Sequence, residues 1–176
     1  MRVARFKSDQ EVRLSVNAAS VSLYFLQAVC GVVLALPFSH YDGSLPAWVA
    51  LAPVLWSVAR AEGARKALGL SAVFALAWTL TAFWFLAPLT APGMLALCVY
   101  TSLYYVAALL ASRWLAKKSL FRAVFGTAAI WTLIEIARST IPILAFPWLL
   151  LGHSLVFSDY LRQSADLLGV FGLSFL

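Results

Sequence analysis

Glu135 and Arg138 lie three residues apart inside an otherwise apolar run, WTLIEIAR, from Trp131 to Arg138. On a helix that spacing projects both from one face, where carboxylate and guanidinium can pair. Ionisable side chains at membrane depth are functional candidates by default. The competing reading is that Arg138 snorkels to the interface and Glu135 merely neutralises it. Just downstream, Ala145 to Ser154 reads AFPWLLLGHS, a rigid proline flanked by aromatic rings. That composition suits gripping acyl chains, although interfacial Trp also serves as a plain anchor. Pro147 and Gly152 argue for a shaped, non-helical segment, which at membrane depth must be buried in protein or line a cavity.

Other reactive types do not assemble into a site. His153, Ser154 and Asp159 suggest a hydrolase triad, but a base rarely reaches its own neighbour's hydroxyl in the required geometry. His40 and His153 are the only histidines and lack further zinc ligands at suitable spacing. Cys30 and Cys98 both fall in apolar runs, where a thiol is a small buried hydrophobe and a poor nucleophile. The sequence therefore assigns no catalytic residue, no metal and no cofactor.

The elements that carry these residues follow from composition. Of 176 residues, 63% are hydrophobic and 11% charged, where soluble domains average about a quarter charged. The mean hydropathy is +0.90. Both exclude an ordinary soluble domain and a disordered tail. The formal charge of +6 is explained by position along the chain and gives no nucleic-acid face.

Charge-free gaps mark the spans, because a charge at the centre of a membrane helix costs at least about 2.5 to 3.5 kcal/mol. The fold class is all-α: a polytopic transmembrane bundle with five full spans and an incomplete sixth. A cytoplasmic segment, 1–14, precedes spans at about 15–36, 46–59, 67–87, 93–112 and 121–137. Turns are expected through Pro37, Ser39 and Gly43 and at Pro88, Pro92 and Gly93, and Pro53 should kink or tilt the second span. An outer loop, 139–166, leads to the sixth run, 167–176, which at about 1.5 Å per residue covers roughly half a hydrocarbon core. The first apolar run is too long for a cleavable signal peptide and reads as a retained anchor. Eleven of the 13 Lys and Arg fall before span one, after span two or between spans four and five. The positive-inside bias then makes the N-terminus cytoplasmic and the proline-rich loops external. Trp78, Phe83, Trp84 and Phe85, with Tyr100, Tyr104 and Tyr105, recur at helical spacings and should pack against neighbouring helices. Trp84 and Phe85 should share the outer leaflet with Phe146 and Trp148.

Three segments resemble the membrane region of apolipoprotein N-acyltransferases. Leu34 to Arg60, LALPFSHYDGSLPAWVALAPVLWSVAR, is similar to the family's opening helix hairpin. Trp131 to Ser154 resembles the W-x-L-x-E-x-x-R and F-P-W-L-x-x-G-x-S signatures, and Gln163 to Leu176 the following G-x-x-G-L-S-F-L start. The likeness runs from about Gly31 to Leu176. It departs where Phe38 is followed by Ser39 and His40, and where Phe83 to Leu86 replaces the family's Trp followed by Tyr.

That resemblance implies acyl transfer in the bacterial cytoplasmic membrane, from a phospholipid through an enzyme thioester to the amine of a lipoprotein's diacylglyceryl-cysteine. The family's catalytic Glu, Lys and Cys belong to a nitrilase-like domain C-terminal to these helices, and nothing here matches it. The expectation is a truncated or split form, inactive alone, whose partners are membrane phospholipid, a diacylated lipoprotein and a separately encoded nitrilase-like domain. Residues matching family motifs near the acyl-entry face are Glu135, Arg138, Phe146, Pro147 and Trp148, with Trp84 added from span three. The alternative is a small polytopic protein such as a dimerising half-transporter, disfavoured because spans one to four hold no interior charge and show no repeat.

Overall fold

A computed structural model of the chain describes residues 20–38, 45–141, 145–156 and 158–176. The N-terminal segment 1–14, the opening residues of the span expected from Ser15, the turn residues Ser39 and Gly43, His40 and Pro142 lie outside them. All elements among the described residues are helical. Helix α1 covers 20–35 and tightens into a 3-10 turn, Leu36–Phe38. It is followed by α2 (Leu45–Ala59), α3 (Ala64–Ala82), α4 (Ala91–Ala116), α5 (Leu120–Thr140) and α6 (Asp159–Phe175).

Breakers and caps set the bounds. Thr90 accepts from the Gly93 amide at 3.2 Å, with Pro92 in the first turn, and this starts α4. Ser119 accepts from the Arg122 amide and starts α5. Helix α2 runs through Pro53 as one helix. Helix α3 stops at Ala82, short of the expected 87, because Trp84–Leu86 forms a 3-10 turn ahead of Pro88.

Ser20–Phe38, Ala91–Ala116 and Leu120–Thr140 are long and apolar enough to cross a bilayer, whereas Leu45–Ala59 is apolar but shorter. The sixth element departs from expectation. Helix α6 starts at Asp159, inside the segment expected as an outer loop, and is broken at Gly169 (φ 65°, ψ 178°). Asp159, Arg162 and Asp166 make its first half polar, so hydropathy gives no signal there. Asp159 nevertheless favours a helix N-terminus and bonds Arg162 one turn on at 2.8 Å. Only glycine occupies the Gly169 conformation without strain, so the break leaves the apolar part as a separate short segment.

Helix α4 is the centre, packed on α2, α3 and α5. The core combines Val54, Leu70, Phe74, Trp78, Tyr105 and Leu109, all essentially inaccessible. Helix hydroxyls return to backbone carbonyls or cross between helices, as Thr79 does to Ala75 (2.9 Å) and Ser102 (3.0 Å). That leaves few polar groups facing hydrocarbon. At one end, Arg113 donates to the Ala61 carbonyl at 3.0 Å, fastening the α4–α5 junction to the α2–α3 junction. The other end carries the 145–156 segment and the Trp84–Leu86 turn.

Candidate functional site

The helix face predicted to carry an ion pair carries something else. Glu135 and Arg138 are both 0% exposed, so Arg138 does not snorkel. They form no ion pair with each other; the ion pairs among the described residues are Lys66 with Glu62 and Arg162 with Asp159. Each is instead spent on the segment that follows. Arg138 Nη1 donates to the Phe146 carbonyl at 2.7 Å, and Nη2 to the Tyr105 hydroxyl at 3.2 Å. Tyr105 in turn donates to the Leu149 carbonyl at 2.6 Å, and the Phe146 amide donates to the Arg138 carbonyl at 3.0 Å. The guanidinium also lies over the Tyr105 ring, 5.4 Å from its centroid.

Glu135 holds the next part of the segment. Its Oε1 accepts from Trp131 Nε1 at 3.0 Å and from the Leu151 amide at 2.8 Å. The Gly152 amide donates to the Ser174 hydroxyl at 2.8 Å, which brings α6 into the same assembly. A Cβ on Gly152 would stand 2.3 Å from the Val170 carbonyl, so this close approach requires glycine. Between the two holds, Leu149 sits at φ 56°, a conformation costing a non-glycine residue of order 1 to 3 kcal/mol. Its side chain is buried and its carbonyl is taken by Tyr105, which is how the surroundings enforce the bend.

Beneath the clamp, Trp131, Tyr105 and Trp78 form an aromatic column, with centroids 5.4 Å (Tyr105 to Trp131) and 4.2 Å (Trp78 to Tyr105) apart. Outside it the rings form a ledge. Phe146 meets Phe83 edge-on at 5.6 Å, and Trp148 stacks on Phe85 at 5.9 Å and on Phe146 at 5.6 Å. The sequence-predicted residues therefore divide. Glu135 and Arg138 are interior, Phe146 is half-buried, and Pro147 and Trp148 are exposed. Trp84 is left 71% exposed beside the two phenylalanines that make the ring contacts.

Sequence reading treated Tyr105 as packing and passed over Leu149 and Ser174. A phenol in the middle of a long uncharged helix is a signal in hindsight, since a buried hydroxyl must find a partner. A leucine's positive φ leaves no such trace. Ser154 bonds the Leu151 carbonyl at 2.6 Å, so its hydroxyl serves the local turn. Partial burial, with the Arg138 charge acting in the same direction, holds His153 below its ordinary pKa and therefore neutral at pH 7.

The domain described as the apolipoprotein N-acyltransferase N-terminal domain matches residues 30–176. The chain belongs to that family. An apolipoprotein N-acyltransferase of Bordetella bronchiseptica is 32% identical over 179 residues, covering 85% of this chain and 32% of the relative. One of Geobacter metallireducens is 33% identical over 165 residues, covering 87% and 31%. A third, of Rickettsia bellii, is 46% identical over 46 residues, 26% and 9%. The chain thus spans about a third of the length of the first two relatives. Membership decides for the acyltransferase N-terminal domain over the half-transporter. Within the matched region, Trp131 to Arg138 supplies the clamp, and Phe146 to Ser154 is the segment it holds.

Proposed function

We propose that this chain is the membrane bundle of an apolipoprotein N-acyltransferase, crossing the bacterial cytoplasmic membrane five times with its N-terminus inside. Its role is to present a phospholipid acyl donor at the outer leaflet to a nitrilase-like domain. That domain supplies the chemistry, moving the acyl chain onto the diacylglyceryl-cysteine of a lipoprotein. Helix α6 lies at the outer interface, where its polar first half meets water and its broken second half returns towards the bundle.

The observation that carries this reading is the aromatic ledge of Phe85, Phe146 and Trp148, held rigid from behind by Arg138 and Glu135. A Pro-containing loop between lipid-facing rings is an acyl-binding surface only if its backbone is fixed, because ordering it on binding would consume affinity. Here the fixing groups are interior. Trp84, Pro147 and Trp148 are the lipid-contacting residues, and Glu135 and Arg138 position the segment that carries Pro147 and Trp148. Phe146 joins the two layers.

A phospholipid carrying a photoreactive acyl chain, incorporated into vesicles with the purified protein, tests this. Labelling should concentrate on Trp84 to Leu86 and on Pro147 and Trp148. Labelling confined to the opposite ends of the helices would refute it.

A further inference from the structure

A second lateral feature lies away from the ledge. Between α2 and α5, with α4 behind, runs an apolar groove of about 600 Å³ lined by Trp56 and Ala59 of α2 and Ala123 and Trp131 of α5, and closed at its far end by Leu151 and Ser174. It stays open because α5 is poorly covered: 11% of its apolar stretch lies inside the bundle, against 39% for α4. From Ala47 to Ala59 the groove follows α2 for about 18 Å at 1.5 Å per residue. That is close to one leaflet of a hydrocarbon core about 30 Å thick.

The lower end of the groove is cationic. Arg60 follows Ala59, Lys117 follows Ala116 and Arg122 precedes Ala123, and all three are exposed. Their neighbours Ala59, Ala116 and Ala123 line the groove. Arg60 lies over the Trp56 ring at 4.9 Å, so one side chain joins the apolar wall to the charged rim. Among the described residues the acid at this end is Glu62, which Lys66 engages at 3.6 Å. Packing another apolar helix into the groove would satisfy its wall and leave the rim without counter-charge. A molecule with an aliphatic chain and an anionic head satisfies both, since juxtamembrane Lys and Arg attract anionic headgroups.

We propose that the groove between α2 and α5 binds an anionic phospholipid from the leaflet at the basic end, its acyl chain along Trp56 and its headgroup at Arg60 and Arg122. The headgroup of this lipid sits at the end of the bundle opposite the ledge, and its binding does not depend on the acyl-transfer reading. Purified protein in phosphatidylcholine vesicles is given trace phosphatidylglycerol with a diazirine in one acyl chain, or phosphatidylcholine bearing the same chain.

The phosphatidylglycerol probe should label Trp48–Ala59 and Ala123–Trp131 more than tenfold above the phosphatidylcholine probe. Arg60→Gln and Arg122→Gln should each lower that labelling about fivefold, with Trp148 labelling unchanged. Equal labelling by the two probes, or labels spread evenly over α3 and α4, would overturn the proposal. So would a benzophenone amino acid at position 56 that captures a polypeptide in place of lipid.

Discussion

The two ends of the bundle use charge in opposite ways. At the clamp end, Glu135 and Arg138 are removed from solvent and their hydrogen bonds go to Leu151, Phe146, Trp131 and Tyr105. At the basic end, Arg60, Lys117, Lys118 and Arg122 are exposed, and two of those cations rest on tryptophan rings, Arg60 on Trp56 and Lys118 on Trp114. Buried charge is costly to leave unpaired, so it fixes backbone; exposed charge is nearly free to remove, so it recruits ligand. A substitution at the first end should therefore be read in stability, and one at the second in lipid affinity.

Arg138→Ala should separate the ends most clearly. It strips the Phe146 carbonyl and the Tyr105 hydroxyl of their donor and leaves Glu135 without a nearby cation, for a loss of about 3 to 5 kcal/mol. Unfolding in detergent or bicelles would register it. Tyr105→Phe should follow, at about 1 to 3 kcal/mol, because the Leu149 carbonyl loses its partner while the ring stack remains. If it unfolds like the unsubstituted protein, the Leu149 bend is held by packing alone. Trp148→Ala should cost about 1 kcal/mol, the value of its ring stacking, while removing most acyl-probe labelling at the ledge. Arg60→Gln should change stability by no more than about 0.5 kcal/mol and register only in anionic-lipid labelling.

How much of this contrast was legible in the sequence depends on the physics behind each part. Charge-free runs located α1, α2, α4 and α5, because hydrocarbon penalises every misplaced charge. Pro92 marked the turn ahead of α4, whereas the Thr90 and Ser119 caps, which act within one turn, are seen only in the structure. The first half of α6 escaped because Asp159, Arg162 and Asp166 make it polar, and hydropathy reports burial in lipid rather than helicity. At the candidate site, the spacing of Glu135 and Arg138 placed both on one helix face, and both are buried there. It could not disclose that they bond a segment 8 to 16 residues downstream instead of each other, since that depends on the Leu149 bend. Trp84 was singled out where Phe83 and Phe85 make the contacts, because the 3-10 turn changes which rings face inward.

The central claim is that Arg138 acts on lipid only through the segment it holds, and amide hydrogen exchange combined with phospholipid photolabelling on Arg138→Lys tests it. Lysine keeps the charge but loses the planar fork that reaches the Phe146 carbonyl and Tyr105 together. The account predicts that the Phe146 and Leu151 amides, protected in the unsubstituted protein in nanodiscs, exchange faster in the variant and that labelling at Trp148 falls in parallel. Unchanged protection of those amides alongside lost labelling would contradict it, and would mean that Arg138 contacts the lipid directly.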